Sequence, residues 1–433
     1  LTTKLRIPCL PVHLIFRTHL FAQLQHVLHY PLTLITSSAG SGKTTLLSSW
    51  LHSASLPALW ISLNAEADNP LHFWSYIFTA LNTSVSGVAD IALSLLRLQQ
   101  PPTLETLLTL VINNLAQSSA PLILILDDYY LITDPAIHQG ITFLLDHRPT
   151  TLHLILSTRV DPPLPLDRFR MHGQLLELRS KTLCFTRAEV TSFLALTTSF
   201  TFSDEDITSL YMRTEGWIAG LQLFTLSLQE KSEYTQLLQG FTGGHRYIFD
   251  YLLQEILTSQ PAQVESFLLQ TSILEYLHSS LCEAVTDQPG GQAMLEWLEQ
   301  ANLFLQPLDD ERQWYRYHPL FADVLQLRLR QTQPSLLPVL YQRAIDWCEK
   351  EGRYSEAVTY ALTIKDLASV ARIAERVGVR MVERGEVVTV QRWVSELPRE
   401  LIRSNLRLCL FEGWRLALNN QYMDAQKLLQ EYE

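Results

Sequence analysis

The chain is short of charge. Only 18% of its 433 residues are Asp, Glu, Lys or Arg, against about 25% in ordinary globular domains. Its formal net charge is -11 and it carries no basic patch, which excludes a large nucleic-acid-binding face on this segment. The five cysteines, at 9, 184, 282, 348 and 409, form no C-x-x-C pair, which argues against a zinc ribbon and a disulfide framework. Reduced thiols in a cytoplasmic protein are the expectation. No apolar run approaches the roughly 18 residues of a membrane span, and no leader pattern is present, so no membrane partner is expected. The sequence also lacks H-E-x-x-H, G-x-S-x-G and an EF-hand loop, and with them the zinc-protease, serine-hydrolase and calcium readings.

What is present is a chain too long for one core and 47% hydrophobic, so two to four domains are expected. Its first part alternates apolar runs with amphipathic segments. Strands are expected at 31–36, 58–63, 121–128 and 151–159, with a weaker candidate at 174–180. Helices are expected at 44–52, 71–81, 104–115 and 136–146. That alternation predicts a parallel sheet with helices on both faces. After about Ser180 the pattern turns helical, opening at "TRAEV", where Thr186 and Glu189 have the spacing of a capping box. "NLFLQPLDDERQWYRYHPLF" reads as a two-stranded wing, with Trp314, Arg316 and His318 on one face and Tyr315 and Tyr317 on the other. Towards the end, "WCEKEGRYSEAVTYAL" and "WRLALNNQYMDAQKLL" align Tyr354 with Tyr422 and Ala357 with Ala425, a faint tetratricopeptide-like repeat.

Chemistry concentrates in three places. "TSSAGSGKTT" (36–45) follows an apolar run and opens a helix, as a phosphate-binding loop requires. Ser37 stands where the usual pattern has its first glycine. Ser38, Ala39, Gly40, Ser41, Gly42 and Thr45 would wrap backbone N–H groups around phosphate oxygens. Lys43 would bring charge, and Thr44 a hydroxyl for Mg²⁺. "LILILDDYY" ends an apolar run in Asp127 and Asp128, at the carboxyl edge where open α/β sheets bind ligands. Asp127 would hold the metal, and Asp128 would orient or deprotonate a water; the plainer alternative is a pair that opens a turn, and the glycine loop upstream favours the metal. "LILSTR" puts Arg159 at the same edge. Alone it reads as a solvated arginine; beside the loop it reads as a γ-phosphate sensor. Glu66, Asp68 and Glu177 read as surface carboxylates, and a lone His318 has no local claim to a ligand.

Taken in order, "ITSSAGSGKTTLLSSW", "LILDDYYLITDPAIHQGITFLL", "LSTRVDPPLPL", "EGWIAGLQL", "ANLFLQPLDDERQWYRYHPLF" and "WCEKEGRYSEAVTYAL" resemble landmarks of MalT-type regulators. These are ATP-binding members of the LuxR group, within the STAND class of signalling ATPases. The resemblance covers essentially the whole chain, and in that family the loop commonly starts with serine. It implies four segments: a P-loop NTPase core (1–180), a helical domain (181–260), a winged-helix domain (261–333) and a helical arm with tetratricopeptide-like repeats (334–433). It further implies slow ATP hydrolysis and an ADP-held resting state in which His318 meets the β-phosphate beside Lys43 and Arg159. It implies an inducer on a downstream sensor, self-association with ATP, and DNA contact only through a domain beyond Glu433. His172 stands where relatives often carry a basic residue. A defence or signalling ATPase with another effector is the alternative.

Overall fold

In the computed structural model, residues 4–54, 56–98, 101–228, 238, 241–258, 260–384, 386–403 and 405–418 are described. The chain divides into two compact units. One comprises residues 1–259 with 296–305 and 318–321, the other 260–295, 306–317 and 322–433.

The first unit is built on five parallel strands: β1 (Leu32–Thr36), β2 (Ala58–Ser62), β3 (Leu122–Asp127), β4 (Leu152–Thr158) and β5 (Leu175–Arg179), in the order β2-β3-β4-β1-β5. The central strands are buried along their whole length because both faces are covered, so their sequences run apolar rather than alternating. Neighbouring side chains point to opposite faces and enter two separate cores. Leu32, Leu34, Leu124, Leu126, Leu154 and Leu156 pack with residues of the Pro70–Ser84, Leu104–Leu115 and Pro135–His147 helices. Ile35, Ile123, Ile125 and Ile155 pack with the Thr18–Leu24 and Lys43–Ala54 helices. The expected helices are thus found: the one at 104–115 has the expected bounds, the other three run slightly beyond the apolar periodicity, and the weak candidate at 174–180 is an edge strand. The Asp90–Leu96 helix is an addition.

Helices Arg187–Thr197, Asp204–Thr214 and Ile218–Leu228 follow. The first begins with the expected capping box, Thr186 and Glu189 satisfying each other's backbone N–H groups. Buried Arg17 ties this region back to the start of the chain. Its guanidinium donates to the Leu183 and Cys184 carbonyls and pairs with Glu189 at 3.1 Å. The Arg246–Leu252 helix runs on into a π-helical turn, Leu253–Leu257.

The second unit contains the Ala262–Thr271 and Ser279–Thr286 helices and most of a three-stranded sheet. In that sheet β6 (Leu277–His278) pairs antiparallel with β8 (Trp314–Tyr317), which lies next to β7 (Leu305–Pro307). Trp314 and Arg316 are half-buried while Tyr315 and Tyr317 face the core, as the alternation predicts. Helices Leu337–Lys350, Tyr354–Thr363, Leu367–Glu383 and Val387–Ser395 follow, each packed on the next. The second half of the expected repeat, with Tyr422 and Ala425, lies outside the described residues. Among the described residues no helix is long and apolar enough to cross a membrane.

Candidate functional site

β1 delivers the chain to the phosphate-loop motif at the carboxyl edge of the sheet. Gly40 and Gly42 have φ of +72° and +79°, the left-handed region that favours glycine. Ser37 is not among the positive-φ residues; it is buried and donates its N–H to the Thr158 carbonyl at 3.3 Å. A glycine's freedom is therefore not used at the first position of the motif, and serine fits without strain.

Lys43 opens the next helix and folds back across the loop. Its Nζ donates to the carbonyls of Ser37 (2.7 Å) and Ser38 (3.0 Å), with Ser41 Oγ at 3.5 Å. Burial, reinforced by the Arg159 charge, pulls its pKa down to about 8 against the opposing pull of Asp128 and Asp127. Such an ammonium gains more from an anion than an exposed one does, because it has already lost its water. Thr44 Oγ1 donates to Asp127 Oδ2 at 2.8 Å. Asp127 is buried, and its Oδ1 has no hydrogen-bond partner among the described residues. A buried carboxylate oxygen left open beside a hydroxyl is costly unless something cationic or protic meets it, so these residues fit a divalent cation. No group of three or more His, Cys, Asp or Glu able to hold a metal occurs among the described residues, so such an ion would complete its shell with phosphate and water, as Mg²⁺ does.

Asp128 is the next residue and sits at φ +59°, a conformation aspartate tolerates better than most side chains. Burial first, then the neighbouring Asp127 charge, raise its pKa, against Arg159 and Lys43. Arg159 follows β4. Its guanidinium lies 4.6 Å from the Tyr130 ring centroid and 3.4 Å from Glu255 Oε2. Its carbonyl accepts from Asn302 Nδ2 at 2.9 Å, and Asn302 Oδ1 in turn accepts from Ser180 Oγ. Loop, carboxylate pair and arginine therefore share one edge of the sheet.

The structure adds residues to which no role falls from local pattern. The Trp217 indole N–H donates to the Ala39 carbonyl at 3.0 Å, and the Ala219 N–H donates to the Gly40 carbonyl at 3.0 Å. A Cβ on Gly40 would lie 2.3 Å from Ala219 Cβ, and one on Gly42 would lie 2.8 Å from Ile218 Cδ1. The start of the Ile218–Leu228 helix thus rests on the phosphate loop, with Tyr251 beside it. "EGWIAGLQL" stands out as a landmark in the sequence, but nothing in its composition says that it touches a loop 178 positions away.

His318 is buried, not on the half-exposed face of Trp314 and Arg316, because β8 ends at Tyr317 and the chain turns inward. Its Nε2 donates to the Thr214 carbonyl at 2.9 Å, and its own N–H donates to the Phe304 carbonyl. Its ring meets those of Trp217 and Phe304 edge-on. Phe304 holds φ +54°, uncommon for an aromatic residue. In this structure His318 stands behind Trp217, whose far end grips the loop. The three outlying carboxylates are structural: Glu66 pairs with Lys4, Asp68 accepts the N–H groups of Thr133 and Asp134, and Glu177 pairs with Arg170 and Arg179. His172 is exposed just after the Leu166–Met171 helix.

Residues 253–337 match the MalT winged helix domain. The whole chain is 32% identical over 435 aligned positions to the HTH-type transcriptional regulator MalT of Klebsiella pneumoniae (strain 342), and 31% identical to that of Cronobacter sakazakii. In each case the chain spans 48% of the relative's length. Among solved structures, a Walker-type ATPase of Pyrococcus abyssi superposes with a TM-score of 0.52 at 15% identity, over 74% of this chain and 98% of that one; this likeness shows the fold. Together with the parallel sheet and its loop, these similarities make the chain a MalT-like one: a P-loop ATPase fold joined to a MalT winged helix domain, related along its whole length to about half of a MalT regulator.

Proposed function

We propose that this chain is a nucleotide-operated switch serving transcriptional regulation. It binds ATP and ADP with Mg²⁺, hydrolyses ATP slowly, and uses the nucleotide's state to hold or release its helical segment. The observation that carries this reading is the seating of Trp217 and Ala219 on the carbonyls of Ala39 and Gly40. Any rearrangement of the loop around phosphate is felt at once by the helix that starts there.

In this reading the N–H groups of residues 38–45 and the Lys43 ammonium hold the phosphates. Thr44 and Asp127 hold the metal, whose chemistry is to neutralise charge on the phosphate oxygens. Asp128 orients the attacking water and takes its proton, which its raised pKa favours. Arg159 leaves Glu255 and Tyr130 to meet the γ-phosphate. His318 keeps Trp217 pressed on the loop in the ADP state. The four segments, bounded near residues 180, 260 and 333, act as core, lever, latch and arm. An inducer on a sensor beyond this chain, self-association of the ATP form, and DNA contact through a further domain complete the proposal. Moving such a switch from 1:99 to 99:1 takes about 5.5 kcal/mol of differential binding. Phosphate, metal and arginine contacts are of that order together.

Mass identification of the nucleotide released from the denatured protein tests this directly. ADP in the wild type and none after Lys43→Ala is the expected result. An unchanged ADP content after Lys43→Ala would refute the phosphate assignment. Steady ATP turnover of several per second without inducer would replace the switch with a motor.

A further inference from the structure

A polar cavity lies in the second unit, lined by residues of the helical arm. Its volume is about 580 Å³, within the range of small-molecule sites. One wall is the turn Gly352–Glu356 that starts the Tyr354–Thr363 helix; the other is the end of the Leu367–Glu383 helix, with Val377, Arg380, Met381 and Arg384.

The Leu367–Glu383 helix and its cap carry arginine at every fourth position: 372, 376, 380 and 384. On an α-helix these stand nearly in one row. Arg372 and Arg376 are neutralised by Glu349, at 2.6 and 2.8 Å. Arg353, inside the cavity, is matched by Glu356 at 3.1 Å and covered by Trp314. Arg380 and Arg384 have no ion pair or side-chain hydrogen bond among the described residues. Two unmatched guanidiniums thus face one remaining cavity carboxylate, Glu386, in a chain whose net charge is -11. Basic residues at a helix end do interact favourably with its dipole. That accounts for their presence near residue 384, but not for their sharing a cavity with Arg353, Ser355 and an apolar floor of Val377 and Met381.

We propose that this cavity binds a small organic phosphate. A phosphate monoester is a dianion whose three terminal oxygens can engage both guanidinium forks, whereas a monocarboxylate can engage only one of them fully. Val377, Met381 and the Tyr354 ring would receive the organic body. A nucleic-acid backbone is disfavoured by the overall net charge of the chain, -11. The site is separate from the phosphate loop and does not depend on the switch reading.

The test is isothermal calorimetry on the full chain with glucose 6-phosphate, inorganic phosphate and glucose as probes, in ADP-saturated wild type and in Lys43→Ala. Glucose 6-phosphate is expected to bind in both and inorganic phosphate about tenfold more weakly, while glucose gives no signal. Arg380→Ala and Arg384→Ala should each weaken glucose 6-phosphate by about tenfold or more, since each loses a charge-assisted hydrogen bond. Both side chains are exposed, so these variants should fold, which circular dichroism checks. Absence of binding at about 10 mM probe, corresponding to a negligible affinity, overturns the proposal. So does binding unchanged in the Arg380→Ala/Arg384→Ala double variant, or binding lost only with Lys43→Ala. Glucose binding as tightly as its phosphate would likewise refute it.

Discussion

Two tryptophans offer a matched experiment on the contact between the helical segment and the phosphate loop. Trp217 and Trp74 are both buried. The Trp217 Nε1 donates to Ala39 O, whereas the Trp74 Nε1 has no hydrogen-bond partner among the described residues. Replacing either by phenylalanine removes a similar volume, at a cavity cost of about 1 kcal/mol. At Trp74 the change also removes a buried N–H that lacks a partner, a relief of about 1–3 kcal/mol. The net effect of Trp74→Phe should therefore lie near zero or be mildly stabilising. At Trp217 the same change leaves the Ala39 carbonyl unmet, which adds about 1–3 kcal/mol to the cavity cost and gives a loss of about 2–4 kcal/mol. Urea denaturation followed by circular dichroism reads the difference. Because the lost bond ends on the loop, Trp217→Phe should also speed dissociation of a fluorescent ADP analogue, while Trp74→Phe should not. If both variants lose equal stability, the hydrogen bond is not the source of the cost. If ADP dissociation is the same in both, the loop and the helix are not coupled through Trp217.

Further expectations concern the same unit. Gly40→Ala should cost about 2–4 kcal/mol, combining a left-handed backbone penalty with a clash against Ala219. Gly173→Ala has positive φ but nothing within 4 Å, so it should cost only about 1–2 kcal/mol; equal melting-temperature losses would contradict this. His318→Ala should loosen ADP by removing the support behind Trp217, and an unaltered ADP dissociation rate would remove His318 from the latch. Burial holds the pKa of His138 and of His153 below the ordinary value of 6.5. The unfolded chain therefore binds their protons first, so their contribution to stability is intact above about 6.5 and declines as pH falls through that value. The urea midpoint should drop between about pH 7.5 and 5.5, and less steeply in a His138→Gln/His153→Leu variant. An identical slope in the two proteins would show that other groups carry the effect.

Much of the first unit is legible from local pattern. Strands buried on both faces must be apolar throughout, which is why β1, β3 and β4 are readable as continuous runs. The loop glycines, Lys43 and Thr44 lie between a strand and a helix that announce themselves, and Asp127 closes an apolar run. Periodicity does less well at ends. It carries the alternation of β8 one residue too far and assigns His318 to the half-exposed face, although the strand stops at Tyr317 and the histidine turns into the core. The wing's pairing with β6, a strand of only two residues, has no sequence signal of its own.

The amino-acid sequence by itself determined the sheet, the phosphate loop and the side chains at its edge, because each follows from the spacing of neighbours along the chain. The resemblance already gives serine at position 37 as the family's usual spelling. Only the tertiary structure supplied the reason, a backbone angle that serine adopts freely. Only the tertiary structure, likewise, set Trp217 and Ala219 on the loop, Asn302 on the Arg159 carbonyl and His318 behind Trp217. Those contacts join segments far apart in the chain, and they depend on how helices stack once the sheet exists, which no local periodicity encodes.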